Sequence, residues 1–221
     1  MTDFARARRM MVDGQIRTNG ITDLPLIGAF ATVERERFLP EQSRPFAYLD
    51  LDLPLDAAGP KGRRLVKPMV LAKLIQAAEI GEGDRVLDVG SATGYSSAIL
   101  AALGAAVVAL EEDAALAKFA ADALAAAGTP GIKGVTGPLA AGWPKDAPYD
   151  AILLNGATEI APQALLDQLG QGGRFVAIVG QAPIGKGTIY RRSGTHVSAF
   201  AGFDAVAPLL PGFAKPPAFA F

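Results

Sequence analysis

From Arg85 to Tyr95 the chain reads Arg-Val-Leu-Asp-Val-Gly-Ser-Ala-Thr-Gly-Tyr. A short apolar run passes straight into a small-residue turn, and a helical pattern, Tyr95–Leu103, follows at once. A strand, a tight turn and a helix in direct succession restrict the fold strongly. A parallel neighbouring strand can be reached only through a crossover, and a helix is the usual one. The same alternation continues downstream. Ala106–Leu110 reads as a strand, Asp113–Ala127 as an alanine-rich helix, and Ile132–Val135 and Tyr149–Leu154 as strands. Pro162–Leu169 reads as a helix, and Gly172-Gly173 turns the chain into a strand over Arg174–Val179. Thr188–Arg192 and His196–Phe203 then form a hairpin about Ser193-Gly194. The expected class is α/β: a mostly parallel, doubly wound sheet ending in an antiparallel hairpin.

Residues 1–80 follow a different pattern. Arg8, Met11, Val12 and Ile16 recur near helical spacing, and Thr22 reads as the cap of a helix with Pro25 in its first turn. Gly59-Pro60-Lys61-Gly62-Arg63-Arg64 reads as a flexible basic loop, and Pro68 opens a further apolar helix. At 221 residues the expectation is one domain, with a helical, substrate-loop segment (1–80) ahead of an α/β core (81–221). The tail Pro208–Phe221, rich in proline and phenylalanine, reads as an irregular cap.

Composition removes several kinds of chemistry. There is no cysteine, hence no disulfide, thiolate metal site or cysteine nucleophile. His196 is the only histidine, so a histidine-rich metal site cannot be assembled. In an edge hairpin it reads as structural or exposed rather than catalytic. A formal charge of −1 provides no broad basic face for nucleic acid. The arginine-rich start lacks the apolar stretch of an export signal, and no run approaches the roughly 20 apolar residues of a membrane helix. A cytoplasmic setting is the expectation.

Gly90 lets the chain turn sharply at the end of the strand, Gly94 permits backbone to approach a ligand, and the helix behind them offers unpaired N–H groups. The dinucleotide spacing G-x-G-x-x-G fails, because Ala92 and Tyr95 stand where two of its glycines belong. Asp88 at the strand end disfavours a pyrophosphate and suits a cation, such as the sulfonium and ammonium of S-adenosylmethionine. Glu111 follows 21 residues beyond Gly90, the distance expected for a carboxylate that grips a ribose diol. A tight connection alone explains either feature; the two together, in order, favour an adenosine-type ligand.

With these residues in view, the chain resembles the protein-L-isoaspartate O-methyltransferase family. The likeness runs through Arg9–Asp23, Ala31–Pro40, Ala47–Asp50, Val86–Tyr95, Gly142–Pro144 and Ala147–Ile152. It implies a Rossmann-like methyltransferase fold, S-adenosylmethionine as cofactor, and methyl transfer to a carboxylate of isoaspartyl residues in damaged protein. The cofactor would be held by Asp88, Gly90, Ser91, Ala92, Gly94, Tyr95, Glu111, Glu112, Gly137, Pro138, Leu139 and Asn155. The family's Gly-Gln-Thr-Ile-Ser-Gln-Pro loop appears here as Gly62-Arg-Arg-Leu-Val-Lys-Pro68, so Val66 takes the place of a serine beside the acceptor. Arg64 and Lys67 become the acceptor contacts. Gly137 or a neighbour replaces an acid that holds the adenine, and Ala92 replaces a glycine. Asn155 is equally a turn former, Trp143 a packing residue, and Arg63-Arg64-Lys67 equally a solvated basic loop. These departures keep two alternatives open: a related methyltransferase with another acceptor, and a non-catalytic binding or interaction module.

Overall fold

The computed structural model describes residues 3–129 and 131–216. Asp3 accepts a hydrogen bond from the Arg6 amide and starts α1 (Phe4–Met11), which continues through a π-helical turn at Val12–Ile16. Asp23 rather than Thr22 caps α2 (Leu24–Thr32): its carboxylate accepts the Leu26 N–H at 3.1 Å, while the Thr22 amide donates to Gln76. Two short strands, β1 (Leu53–Pro54) and β2 (Arg64–Leu65), pair antiparallel ahead of α3 (Pro68–Ala78).

The main sheet has seven strands. They are β3 (Arg85–Val89), β4 (Ala106–Glu111), β5 (Ile132–Thr136), β6 (Tyr149–Thr158), β7 (Leu169–Gln181), β8 (Ile184–Ser193) and β9 (His196–Asp204). Their spatial order is β5-β4-β3-β6-β7-β8-β9; the first five are parallel and the last two antiparallel, as the strand pattern requires. Two crossovers, α4 (Tyr95–Ala102) and α5 (Ala114–Ala126), carry the chain outward from β3 to β5; β6 then returns to the other side of β3. That reversal is the switch point at which open α/β sheets bind ligands.

Alternation along the strands divides the core. One face carries Val86, Val107 and Leu153 against the helices of both chain segments, with Phe30, Leu71, Leu74 and Leu100 among them. The other carries Leu87, Val89, Ile152 and Phe175. Here the sequence expectation fails: α6 is only Gln163–Leu166, and β7 begins at Leu169 with Gly172 and Gly173 inside it rather than as a turn ahead of Arg174. Leu169 is taken into the sheet opposite Tyr149, and the Gln168 carbonyl accepts the Tyr149 N–H, so the helix cannot extend. The tail supplies the missing cover. Leu210 and Phe213 are buried in this second core, and 208–210 runs beside Ala157 through two backbone hydrogen bonds. The tail is a cap as expected over 208–213; residues 217–221 lie outside the described residues. Among the described residues no helix is long and apolar enough to cross a membrane.

Candidate functional site at the carboxyl ends of β3, β4 and β6

Strand register places three polar residues side by side. Asp88 pairs with Ala109 of β4 and Leu153 of β6. Side chains alternate along a strand, so Glu111 and Asn155, each two residues further on, share the face of Asp88. All three are buried.

Asp88 is fully enclosed. Its Oδ2 accepts the hydroxyls of Ser96 and Ser97, each at 2.6 Å, and Asn155 Nδ2 donates to Ser96 Oγ at 2.7 Å. Burial pushes the Asp88 carboxyl up to about 6, against the two serine hydrogen bonds, and the Glu111 charge adds to the rise. Asp88 Oδ1 and Asn155 Oδ1 have no donor. Two buried acceptors without donors fit the ammonium or hydroxyls of a ligand, since an unmet buried acceptor is costly. Ser96 and Ser97 escaped the sequence reading; the signal was their place at the start of the helix behind Asp88.

The turn between β3 and α4 brings backbone to the site. Gly90 (φ +75°) and Gly94 (φ +90°) are left-handed, as their roles require, and Ala92 is left-handed as well at φ +51°. A Cβ on Gly90 would stand 2.9 Å from Leu210 Cδ1, which locks the turn against the tail. Tyr95 corrects the sequence expectation. Its ring is wholly buried among Phe30 and Phe38 with the Arg35 guanidinium over its face, so the side chain is core and does not face the site. Leu139 likewise packs into the second core beneath Gly90. The Ser91 backbone is tied to Leu110, the Gly137 amide donates to the Glu111 carbonyl, and Pro138 and Glu112 are exposed.

Glu111 is 1% exposed and saturated with donors. Oε2 accepts the Ala92 N–H at 2.9 Å; Oε1 accepts those of Glu112 and Asp113 at 3.0 and 3.1 Å. Arg63 completes the set, its two terminal nitrogens each 2.7 Å from one carboxylate oxygen. This overturns the reading of Arg63 as part of a flexible solvated loop: its side chain is buried. The segment is a strap. Leu55 donates to the Arg63 carbonyl, Gly62 to Asp56 Oδ1, and β1 and β2 pair across its base. A Cβ built on Gly59 would land inside the Leu116 side chain, so bare backbone presses onto α5. Beside Glu111 a cavity of about 390 Å³ opens between α5 and β4–β5, with Ser91 and Thr136 in its wall.

In the loop expected to meet the acceptor, Val66 is 1% exposed and its carbonyl accepts from Arg35. Arg64 is exposed and donates to the Asp52 carbonyl. Lys67 lines a separate cavity of about 470 Å³ with Met69, Ile184 and Lys186. Trp143 packs against the second core, and His196 is exposed on the edge strand. No group of three metal-binding side chains occurs among the described residues.

The family model described as protein-L-isoaspartate(D-aspartate) O-methyltransferase matches residues 6–197. A protein-L-isoaspartate O-methyltransferase of Methylorubrum populi is 41% identical over 216 residues, covering 96% of this chain and 98% of that protein. One from Methanoculleus marisnigri is 41% identical over 175 residues, covering 79% and 78%. A solved structure of that name superposes with a TM-score of 0.82 at 21% identity, over 93% of this chain and 66% of that one. One from Plasmodium falciparum, in complex with S-adenosyl-L-homocysteine, has a TM-score of 0.72 at 18% identity, over 94% and 99%. At such identities the two structures speak for the fold.

Proposed function

Because the chain belongs to the protein-L-isoaspartate(D-aspartate) O-methyltransferase family, we propose that it methylates the free carboxylate of isoaspartyl residues in protein, with S-adenosylmethionine as donor. The observation that carries the cofactor side is the alignment of Asp88, Glu111 and Asn155 on one sheet edge, two of them with acceptor atoms unmet.

The donor brings a methyl group already activated on a sulfonium. The chain's own residues have modest tasks. An α-carboxylate ionises near pH 3.5, so at neutral pH the acceptor needs no general base. Asp88 supplies a negative charge toward a cationic head, and Asn155 an acceptor beside it. Glu111 offers its carboxylate to a ribose diol, and the Ala92, Glu112 and Asp113 amides hold that carboxylate in place. Lys67 and Arg64 provide positive charge on the acceptor side. Alignment of acceptor oxygen, methyl and sulfur is then the main source of rate.

Incubation with methyl-labelled donor and a peptide in isoaspartyl and normal aspartyl forms tests this. Base-labile label is expected on the isoaspartyl form alone. Label on neither form, with the cofactor bound, would move the reading to a different acceptor. Val66 favours that second reading, since it places no hydroxyl where the family has serine; a panel of small carboxylates and phenolates separates the two.

A further inference from the structure

We propose that Arg63 is a gate: it occupies Glu111 in the free enzyme and must leave for a nucleoside diol to bind, so that the strap carrying the acceptor loop responds to cofactor occupancy. The inference rests on the cofactor reading above and deepens it.

The argument is one of valence. Glu111 Oε1 receives three donors and Oε2 two. Three of these five are backbone N–H groups of the β3–α4 turn and of the segment after β4, fixed by the fold. Only the two Arg63 nitrogens belong to a side chain that can withdraw. A diol gripping the same carboxylate also brings two donors, so Arg63 is its stand-in and its competitor. The guanidinium is incompletely satisfied where it sits, because its buried Nε has no partner. Arg63 is also mechanically placed for the role. Its carbonyl receives the Leu55 amide within the strap, and three and four residues later the chain reaches Val66 and Lys67, in the loop expected to meet the acceptor. Withdrawal of the side chain therefore loosens the segment that faces the acceptor. The resulting order is donor first, acceptor second.

Calorimetric titration of the full chain with S-adenosylhomocysteine, on wild type and Arg63→Gln, tests the gate. Hydrogen exchange at Leu55 and Gly62 is followed alongside. Removing the competitor is expected to tighten binding at least fivefold, and saturating ligand is expected to speed exchange at both amides in wild type. Equal or weaker binding by the variant overturns the gate while leaving the cofactor reading intact. If Arg63→Gln does not fold, Arg63→Lys and the wild-type exchange decide: unchanged protection under saturating ligand overturns the proposal. Absence of any heat with every folded protein removes the cofactor reading and the gate together.

Discussion

The Ser97 hydroxyl lies 2.6 Å from Asp88 Oδ2, and the same oxygen takes a second hydroxyl from Ser96, while Oδ1 of that carboxylate has no donor. The site thus buries a charge with its hydrogen bonding half complete. A carboxyl raised to about 6 binds its proton more tightly in the folded chain than in the unfolded one. Stability contributed by this group is therefore present at low pH and lost as pH rises from about 4 to about 6, by at most about 3 kcal/mol. Urea unfolding at pH 5 and 7 should show Asp88→Asn stabilised at pH 7 and with a flatter pH slope; parallel slopes in variant and wild type would contradict it.

Ala92→Gly should make the protein more stable. A left-handed non-glycine residue costs roughly 1–2 kcal/mol, and glycine's extra unfolded-state freedom returns roughly 0.5–1. A net gain of about 0.5–1 kcal/mol is expected in a thermal melt. A lower melting temperature would show that the Ala92 methyl packs usefully.

Leu210→Ala should cost about 2–4 kcal/mol. The side chain is buried against both the site turn and β6: a Cβ on Gly156 would stand 2.6 Å from its Cγ. Because the same leucine abuts Gly90, ligand affinity should fall along with stability. Calorimetry on the folded variant checks the second effect; undiminished affinity means that the turn holds its shape without the tail.

Val66→Ser should trade stability for turnover. Placing a hydroxyl in a 1% exposed site costs about 1–3 kcal/mol. One recovered hydrogen bond to the acceptor is worth about a factor of ten in kcat/KM on an isoaspartyl peptide. No gain in a folded variant would place the acceptor elsewhere.

What the sequence reveals and what it withholds divide along physical lines. Gly90 and Gly94 are legible because positive φ is a local demand that few residue types meet, and the positions of Asp88 and Glu111 because each lies at the end of a short apolar run that reads as a strand. Asn155 was legible only as a strand-end residue; its partnership with Ser96 depends on β6 returning beside β3. Tyr95 misled because helix position does not say which way a ring points. Arg63 misled because charge in a glycine-rich loop normally means solvent, and nothing local reveals a partner 48 residues away. The early end of α6 was hidden too, since pairing of Leu169 with Tyr149 is a tertiary competition that Gly170 and Gly173 only hint at.

The bare backbone of Gly59 has one more implication. Its contact with Leu116 leaves no room for even a methyl group. An alanine there touches neither Arg63 nor Glu111, yet it forces either the Leu116 side chain or the strap to yield. The seating of the strap on α5 can thus be perturbed at a point that carries no charge.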